Sequence, residues 1–312
     1  MEVARWGYRL ILLREPENEE VVRHLAQKAI STRILRDTLV RSPEARSQAA
    51  FPTSLQSMTG AEPAQAIQIE VSPEQQRELF HRVQAVWKRL GETKPHWSVL
   101  TGDEFLPDKI EKTVDEFYRS GVSNISTMLR TLERNGIDAS KLRSVMDFGC
   151  GLGRLSAALS PHFERVIGVD ISSSHLTLAR EAIAKRGLAN VEFTQLEAID
   201  AVNRLPQVDL VFSVIVLQHN PPPVIRALFA ALLGRVAPGG AAVIQIPTYL
   251  PAGYSFDVAR YLHEGGKDME MHAIPQHEAF AAIRAAGMEV LEVLDDSWTG
   301  MGRSNTFVVR KP

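Results

Sequence analysis

Three glycines at alternate positions, Gly149, Gly151 and Gly153, lie inside V-M-D-F-G-C-G-L-G-R (Val145 to Arg154). A carboxylate, Asp170, closes the next apolar run about twenty residues later. An apolar run ending in Asp147, the glycines, and then R-L-S-A-A-L-S read as a strand, a tight turn and a helix. Glycine suits such a turn because a Cβ would resist its backbone angles and keep a ligand away from the bare backbone. The helix start offers unpaired N–H groups, and a carboxylate placed like Asp170 can accept both hydroxyls of a ribose. The chemistry indicated is the binding of a nucleotide-like cofactor.

The elements that must hold these residues follow from the rest of the 312-residue chain, which is long enough for one large domain or a standard domain with a smaller companion. With 45% hydrophobic and 23% charged residues and a formal net charge of -2, neither a nucleic-acid nor an anionic-membrane partner is indicated. Cys150 is the only cysteine, which excludes an intrachain disulfide and argues against a thiolate zinc site. Neither a signal peptide nor a membrane-spanning stretch is visible, and a cytoplasmic location is expected. Helical spacing recurs over Val3 to Leu13 and Glu19 to Ile30, and Ser31 can cap a third helix, giving a small helical module over residues 1–47. Residues 48–71 read as a linker, and residues 72–136 as a helical lead-in. Its first helix opens on Ser72-Pro73-Glu74-Gln75, a capping box with proline at the first helical position, and ends near Gly91. Two more helices are expected to end at Gly121 and Gly136. From residue 137 to 312, strands alternate with helices: strands at 165–171, 191–195 and 208–214, helices at 174–185 and 224–236. Then come P-G-G, a strand A-A-V-I-Q-I, an insert from Pro247 to about Ile274, a helix from 275 to 286 and two final strands. This order predicts an α/β fold with a doubly wound, seven-stranded, mostly parallel sheet and ligands at its carboxyl edge. The last two strands have no helix between them, so one should run antiparallel.

The glycine–carboxylate pair alone does not separate a nicotinamide cofactor from S-adenosylmethionine. The G-x-G-x-G spacing, Asp147 within the motif, and P-G-G before the fifth strand with a terminal strand pair favour S-adenosylmethionine. On D-F-G-C-G-L-G-R, V-D-I-S, Q-L-E-A, D-L-V-F-S-V-I-V-L-Q-H and V-A-P-G-G, residues 97–310 resemble a class I S-adenosylmethionine-dependent methyltransferase. The resemblance implies that Asp147, Gly149, Cys150 (through its backbone) and Gly151 line the methionine end of the cofactor. It also places Asp170, with Ile171 beside it, at the ribose, Leu196 and Glu197 at the adenine, and Ser213 beneath the sulfonium. S-adenosylhomocysteine would be the product. W-S-V-L-T (Trp97 to Thr101) and F-Y-R-S-G (Phe117 to Gly121) further resemble methyltransferases of bacterial glycan and surface-polysaccharide biosynthesis, which implies a sugar or glycan acceptor. Residues 5–47, with Y-R-L-I-L-L-R-E-P-E-N and V-R-S-P-E, resemble a helical module of unassigned function, DUF4214.

A sugar hydroxyl needs a base, and His219, just past the fourth strand, is placed for it by topology; a hydrogen bond to the adjacent proline-rich loop is the other use for that histidine. Gln218 is expected to bind acceptor or cofactor, or to cap the loop. Tyr249, Tyr254 and His272 in the insert are expected to meet the acceptor, with Tyr261 and His263 nearby. His263, His272 and His277 with Asp268 and Glu270 match no dedicated metal motif, and no metal is expected. Trp97 and Tyr118 would cover the cofactor or fill the core, and Arg154 would pair with a neighbouring carboxylate. A small-molecule carboxylate, amine or lipid-like acceptor, or a non-catalytic scaffold that keeps the cofactor pocket, are the other functions compatible with these residues.

Overall fold

The computed structural model describes residues 8, 16–28, 39, 62–251, 253–266, 268–296, 298–300 and 302–312. It divides into two units, Met1–Gly60 and Ala61–Pro312. In the first, Asn18 Oδ1 accepts the N–H groups of Glu20 and Val21 and so caps helix α1 (Glu19–Lys28). Val22 and Leu25 on its inner face pack with Tyr8 and Leu39. The helices expected over Val3 to Leu13 and from Ser31 onward, and most of the DUF4214 resemblance, lie outside the described residues.

The second unit begins differently from expectation. Residues 62–71, assigned from sequence to the linker, run extended and are held in place. Ala66 O accepts the Phe256 N–H at 2.9 Å, Gln68 N donates to Phe256 O at 2.9 Å, and Glu70 forms an ion pair with Arg226. The reason is a short period-2 pattern, Ile67, Ile69 and Val71, whose side chains pack against the main core.

Helix α2 (Pro73–Thr93) carries the expected capping box: Ser72 Oγ accepts from Gln75 N at 3.1 Å, and Gln75 Oε1 accepts from Ser72 N at 3.0 Å. It runs two residues past Gly91. A Cβ on Gly91 would lie 2.5 Å from Ser174 Oγ and 2.8 Å from His175 Nδ1, so the glycine permits a close helix crossing there. A short helix, α3 (Pro95–Val99), follows. The two helices expected before Gly121 and Gly136 are one 25-residue helix, α4 (Ile110–Arg134). Gly121 is not a cap: a Cβ there would meet the Arg154 carbonyl oxygen at 2.7 Å, so the position serves close packing. Gly136 (φ 71°) does close the helix, with Gly136 N donating to Glu133 O and Ile137 N to Leu132 O, both at 2.9 Å.

The sheet is built from β1 (Ser144–Phe148), α5 (Arg154–Leu159), β2 (Arg165–Asp170), α6 (Ser173–Lys185), β3 (Val191–Gln195), β4 (Val208–Ser213), α7 (Pro222–Leu233) and β5 (Val236–Tyr249). It is completed by α8 (Val258–Glu264), α9 (Gln276–Ala285), β6 (Glu289–Asp296) and β7 (Arg303–Arg310). Its order is β3-β2-β1-β4-β5-β7-β6. The pairs from β3 through β5 are parallel, and β7 runs antiparallel to both β5 and β6. β5 is longer than expected, taking in P-G-G at its start. Strand order reverses between β1 and β4, which opens a crevice above their carboxyl ends. Among the described residues, no helix is long and apolar enough to cross a membrane.

Candidate active site

A cavity of about 470 Å³ opens at that crevice, and the glycine turn forms its floor. Gly149, Gly151 and Gly153 all take positive φ (79°, 51° and 73°), a conformation L side chains resist. Gly149 N and Cys150 N donate to Val169 O at 2.7 and 3.1 Å, which pins the turn to β2. A Cβ on Gly149 would fall 2.2 Å from Val216 Cγ2, and one on Gly151 2.9 Å from Val99 Cγ2. Asp170 fixes the rim: its Oδ2 accepts the Gly151 N–H and its Oδ1 the Ser172 N–H, each at 2.8 Å.

Of the residues singled out from sequence, Gly149, Cys150, Gly151, Asp170, Ile171, Leu196, Gln218 and His219 all line this cavity. Burial pushes the Cys150 thiol well up, so it stays protonated, and only its backbone shapes the turn.

Apart from Arg154, the other expected residues lie elsewhere. Asp147 is 2% exposed beneath the turn and accepts Ser156 Oγ at 2.6 Å; burial raises its pKa to about 6, against the pull of Ser156 and Arg154. Ser213 is buried and donates to Phe148 O at 3.0 Å, tying the end of β4 to β1. Glu197 points to solvent, while its carbonyl and that of Leu196 accept from Gln84 Nε2 at 3.1 Å. Tyr249 donates to Pro63 O at 3.2 Å, away from the cavity. Tyr254 and His272 are joined to each other (Oη to Nδ1, 3.0 Å) behind the wall, with Tyr261 and Phe256 packed edge-on against the imidazole. Trp97 sits under Lys94, and Tyr118 donates to Leu152 O at 2.9 Å. Arg154 does not pair with a carboxylate: its Nη1 donates to Asn124 Oδ1 at 2.9 Å and to Ser120 Oγ at 3.2 Å on α4. It lines the cavity, and its buried Nε–H has no hydrogen-bond partner.

Sequence reasoning missed the walls contributed from afar: Trp87 on α2, Ser98 and Val99 on α3, His175 on α6, Met269 and Met271 of the insert, and Trp298. Trp87, spaced with Leu79, Val83, Val86 and Leu90 as one apolar face of α2, carries no signal of a second role in its spacing. It also stands edge-on to His219, with ring centroids 5.3 Å apart.

His219 itself is held at both nitrogens. Nδ1 lies 3.0 Å from the carbonyl oxygen of Glu270, which can only accept, so Nδ1 carries the proton and Nε2 the lone pair. Gln218 Nε2 approaches that lone pair at 3.3 Å. Burial, with a smaller push from the nearby His272 and against the hydrogen bond to the Glu270 carbonyl, holds the imidazole pKa down at about 4, so the ring is neutral at physiological pH. The adjoining loop is strained: Ile215, β-branched, has φ 59°. A smaller cavity of about 260 Å³ shares Val83, Trp87, His219 and Met269 with the first and is bounded by Arg82, Tyr261 and Glu270.

A family model described as a methyltransferase domain matches residues 145–240. A ubiquinone biosynthesis O-methyltransferase of Pseudomonas aeruginosa is 33% identical over 169 residues, which span 52% of this chain and 70% of the relative. The chain belongs to the S-adenosylmethionine-dependent methyltransferases. A relative of the same name from Pseudomonas fluorescens is 31% identical over 161 residues, 49% of this chain and 67% of that protein. Among solved structures, magnesium protoporphyrin IX methyltransferase from Synechocystis PCC 6803 with bound S-adenosylhomocysteine shares the fold. Its TM-score is 0.52 at 19% identity, covering 75% of this chain and all of the other.

S-adenosylmethionine is the methyltransferase's cofactor, and the residues present fit it. The glycine floor would be filled by any Cβ, and Arg154 keeps an unpartnered N–H, a donor suited to a carboxylate, on the cavity wall.

Proposed function

We propose that this methyltransferase acts on a hydroxyl oxygen of an uncharged, largely apolar acceptor, a phenol in preference to a sugar, with His219 as the base. The observation that carries the reading is the neutral His219, lining the cavity with Nδ1–H engaged by the Glu270 carbonyl and Nε2 left as the lone pair.

Gly149, Cys150, Gly151, Asp170, Ile171 and Leu196 are the residues that would hold the cofactor, with Arg154 Nε–H directed to its carboxylate. When bound, S-adenosylmethionine supplies an electrophilic methyl carbon on a positively charged sulfur. The task of the chain's own residues is to align the acceptor and keep water out, because displacement at a sulfonium disperses charge and does not create it. His219 Nε2 takes the hydroxyl proton, and the incoming hydroxyl replaces the long Gln218 N–H contact at that nitrogen.

Two features favour a phenol. An imidazole whose pKa is held near 4 is a weak base, and a phenolic proton (pKa about 10) is far easier for it to accept than that of a sugar alcohol. The walls are also apolar, with Trp87, Val99, Leu155, Met269, Met271 and Trp298. Among the described lining residues, the charged side chains are Asp170 and Arg154, and Arg154 is committed to α4 and to the cofactor's carboxylate, so a sugar nucleotide's diphosphate would lack a counterion. The names of the relatives, in ubiquinone biosynthesis, agree with an apolar acceptor.

The test is a competition. Purified protein with methyl-labelled S-adenosylmethionine is offered an alkyl-substituted catechol and a nucleoside diphosphate sugar together. Label in the catechol supports the reading, and label confined to the sugar nucleotide overturns it in favour of the glycan acceptor.

A further inference from the structure

Gln245 lies in the middle of β5, is 0% exposed and lines neither cavity, yet it connects the strained loop to the proposed base. Its Oε1 accepts the Ile215 N–H at 2.8 Å. A backbone N–H can only donate, so this contact decides which end of the Gln245 amide is oxygen. The NH₂ end must then face the other way, where it donates to Gln218 Oε1 at 3.1 Å and to Ser304 Oγ at 2.7 Å. That in turn fixes the Gln218 amide with its own NH₂ toward His219 Nε2, at 3.3 Å, and toward Met271 Sδ, at 3.7 Å. From the far end, the Glu270 carbonyl requires the proton on Nδ1 and a lone pair on Nε2. Both ends of the chain demand the same polarity, and no member is free to turn over alone.

We propose that Gln245 is a positioning residue: through Gln218 it presents a hydrogen-bond donor, never an acceptor, to His219 Nε2 and so keeps that nitrogen as the lone-pair site. The proposal rests on the reading of His219 as the base only for its effect on turnover, because the polarity of the chain is a property of the protein with or without acceptor. It also gives the φ of Ile215 a function, since the strained peptide is what turns the orienting N–H toward Gln245.

The experiment uses the full chain with bound S-adenosylhomocysteine, with ¹⁵N labelling of histidine and NMR at pH 8. The wild-type His219 should show a protonated Nδ1 and an unprotonated Nε2. In Gln245→Glu one oxygen still accepts the Ile215 N–H, but the other now opposes Gln218 Oε1, so the Gln218 amide turns over and sets an acceptor against Nε2. Nε2 should then become protonated, the single ring proton leaving Nδ1 at the cost of its hydrogen bond to the Glu270 carbonyl. Turnover at pH 8 should fall about tenfold or more, with S-adenosylhomocysteine affinity unchanged. Lowering the pH toward 6 should restore part of the turnover, as the introduced carboxyl gains a proton to donate. The titratable groups around His219 are Arg82 of α2, Tyr261 of α8, and Glu270 and His272 of the insert; both variants leave all four in place. Gln218→Glu sets an acceptor against Nε2 without disturbing β5 and should give the same Nε2 signal, which covers a failure of the first variant to fold. An unprotonated Nε2 in whichever of the two variants folds, or a turnover loss equal at every pH, overturns the proposal. Full turnover in His219→Ala would instead remove the base reading and leave the NMR result to judge Gln245.

Discussion

The two halves of the cavity are made of different material. On the β1–β2–β3 side the floor is backbone: three glycines at positive φ, N–H groups of Gly149 and Cys150 on the Val169 carbonyl, and the Asp170 carboxylate bolted to Gly151 and Ser172. On the β4–β5 side the walls are side chains brought from four places, including Trp87, His219, Met271 and Trp298, and two of them, His219 and Met271, meet the Gln218 amide that Gln245 contacts. A backbone floor tolerates no added atom, whereas a wall of side chains can be altered one at a time. The first suits a cofactor whose shape never changes, and the second suits an acceptor that differs from one relative to the next.

This contrast can be broken at several points. The largest effect is expected from Gly149→Ala, because a Cβ would lie 2.2 Å from Val216 Cγ2 at φ 79°. Overpacking and left-handed strain together should cost about 2–4 kcal/mol in urea unfolding. Calorimetry should show no S-adenosylhomocysteine binding.

Across the cavity, His219→Ala should lower kcat by roughly 10²–10⁴-fold. S-adenosylhomocysteine affinity measured by calorimetry should be unchanged, so the two substitutions would divide binding from turnover between the halves.

The halves also respond oppositely to acid. His219 has a folded pKa near 4, below its ordinary 6.5, so its unfolded form binds more protons and its contribution to stability is lost as pH falls from 6.5 through 4. Asp147, near 6 in the fold against an ordinary 3.8, binds more protons when folded, so its burial becomes less costly over the same fall. Thermal unfolding between pH 7 and pH 4.5 should therefore show His219→Gln losing about 2 kcal/mol less than wild type and Asp147→Asn losing about 2 kcal/mol more. Equal losses in all three would remove both assignments.

The smallest effect is expected from Tyr249→Phe, whose lost hydrogen bond to the Pro63 carbonyl is worth about 0.5–1 kcal/mol by melting. Turnover should not change, since the side chain lies outside the cavity.

The floor was legible in the sequence because it is local. Gly149, Gly151 and Asp170 act within a single strand–turn–helix–strand passage, where residue type and spacing carry the geometry. Asp147, inside that passage, and Ser213, at the end of β4, face away from the cavity, and strand alternation alone does not say on which side the ligand lies. The walls were not legible because their residues meet only after folding. Trp87 satisfies the apolar face of α2 as well as the cavity, so its helical spacing hid its second role. Gln245 looked like one polar residue in a buried strand, and only its three partners, 27, 30 and 59 residues away, reveal what it does. Gly121 misled for a related reason. A glycine that ends a helix and one that lets two helices touch look identical until the partner backbone, here the Arg154 carbonyl, is in view.

The extended segment at residues 62–71 also bears on how the chain can be shortened. A chain cut at residue 72, where the alternation of strands and helices invites the cut, would strip the Phe256 N–H and C=O of their partners and uncover the apolar strip beneath Ile67, Ile69 and Val71. Such a trimmed protein should be sticky and poorly recovered from expression, whereas one beginning just before residue 62 keeps its seam closed.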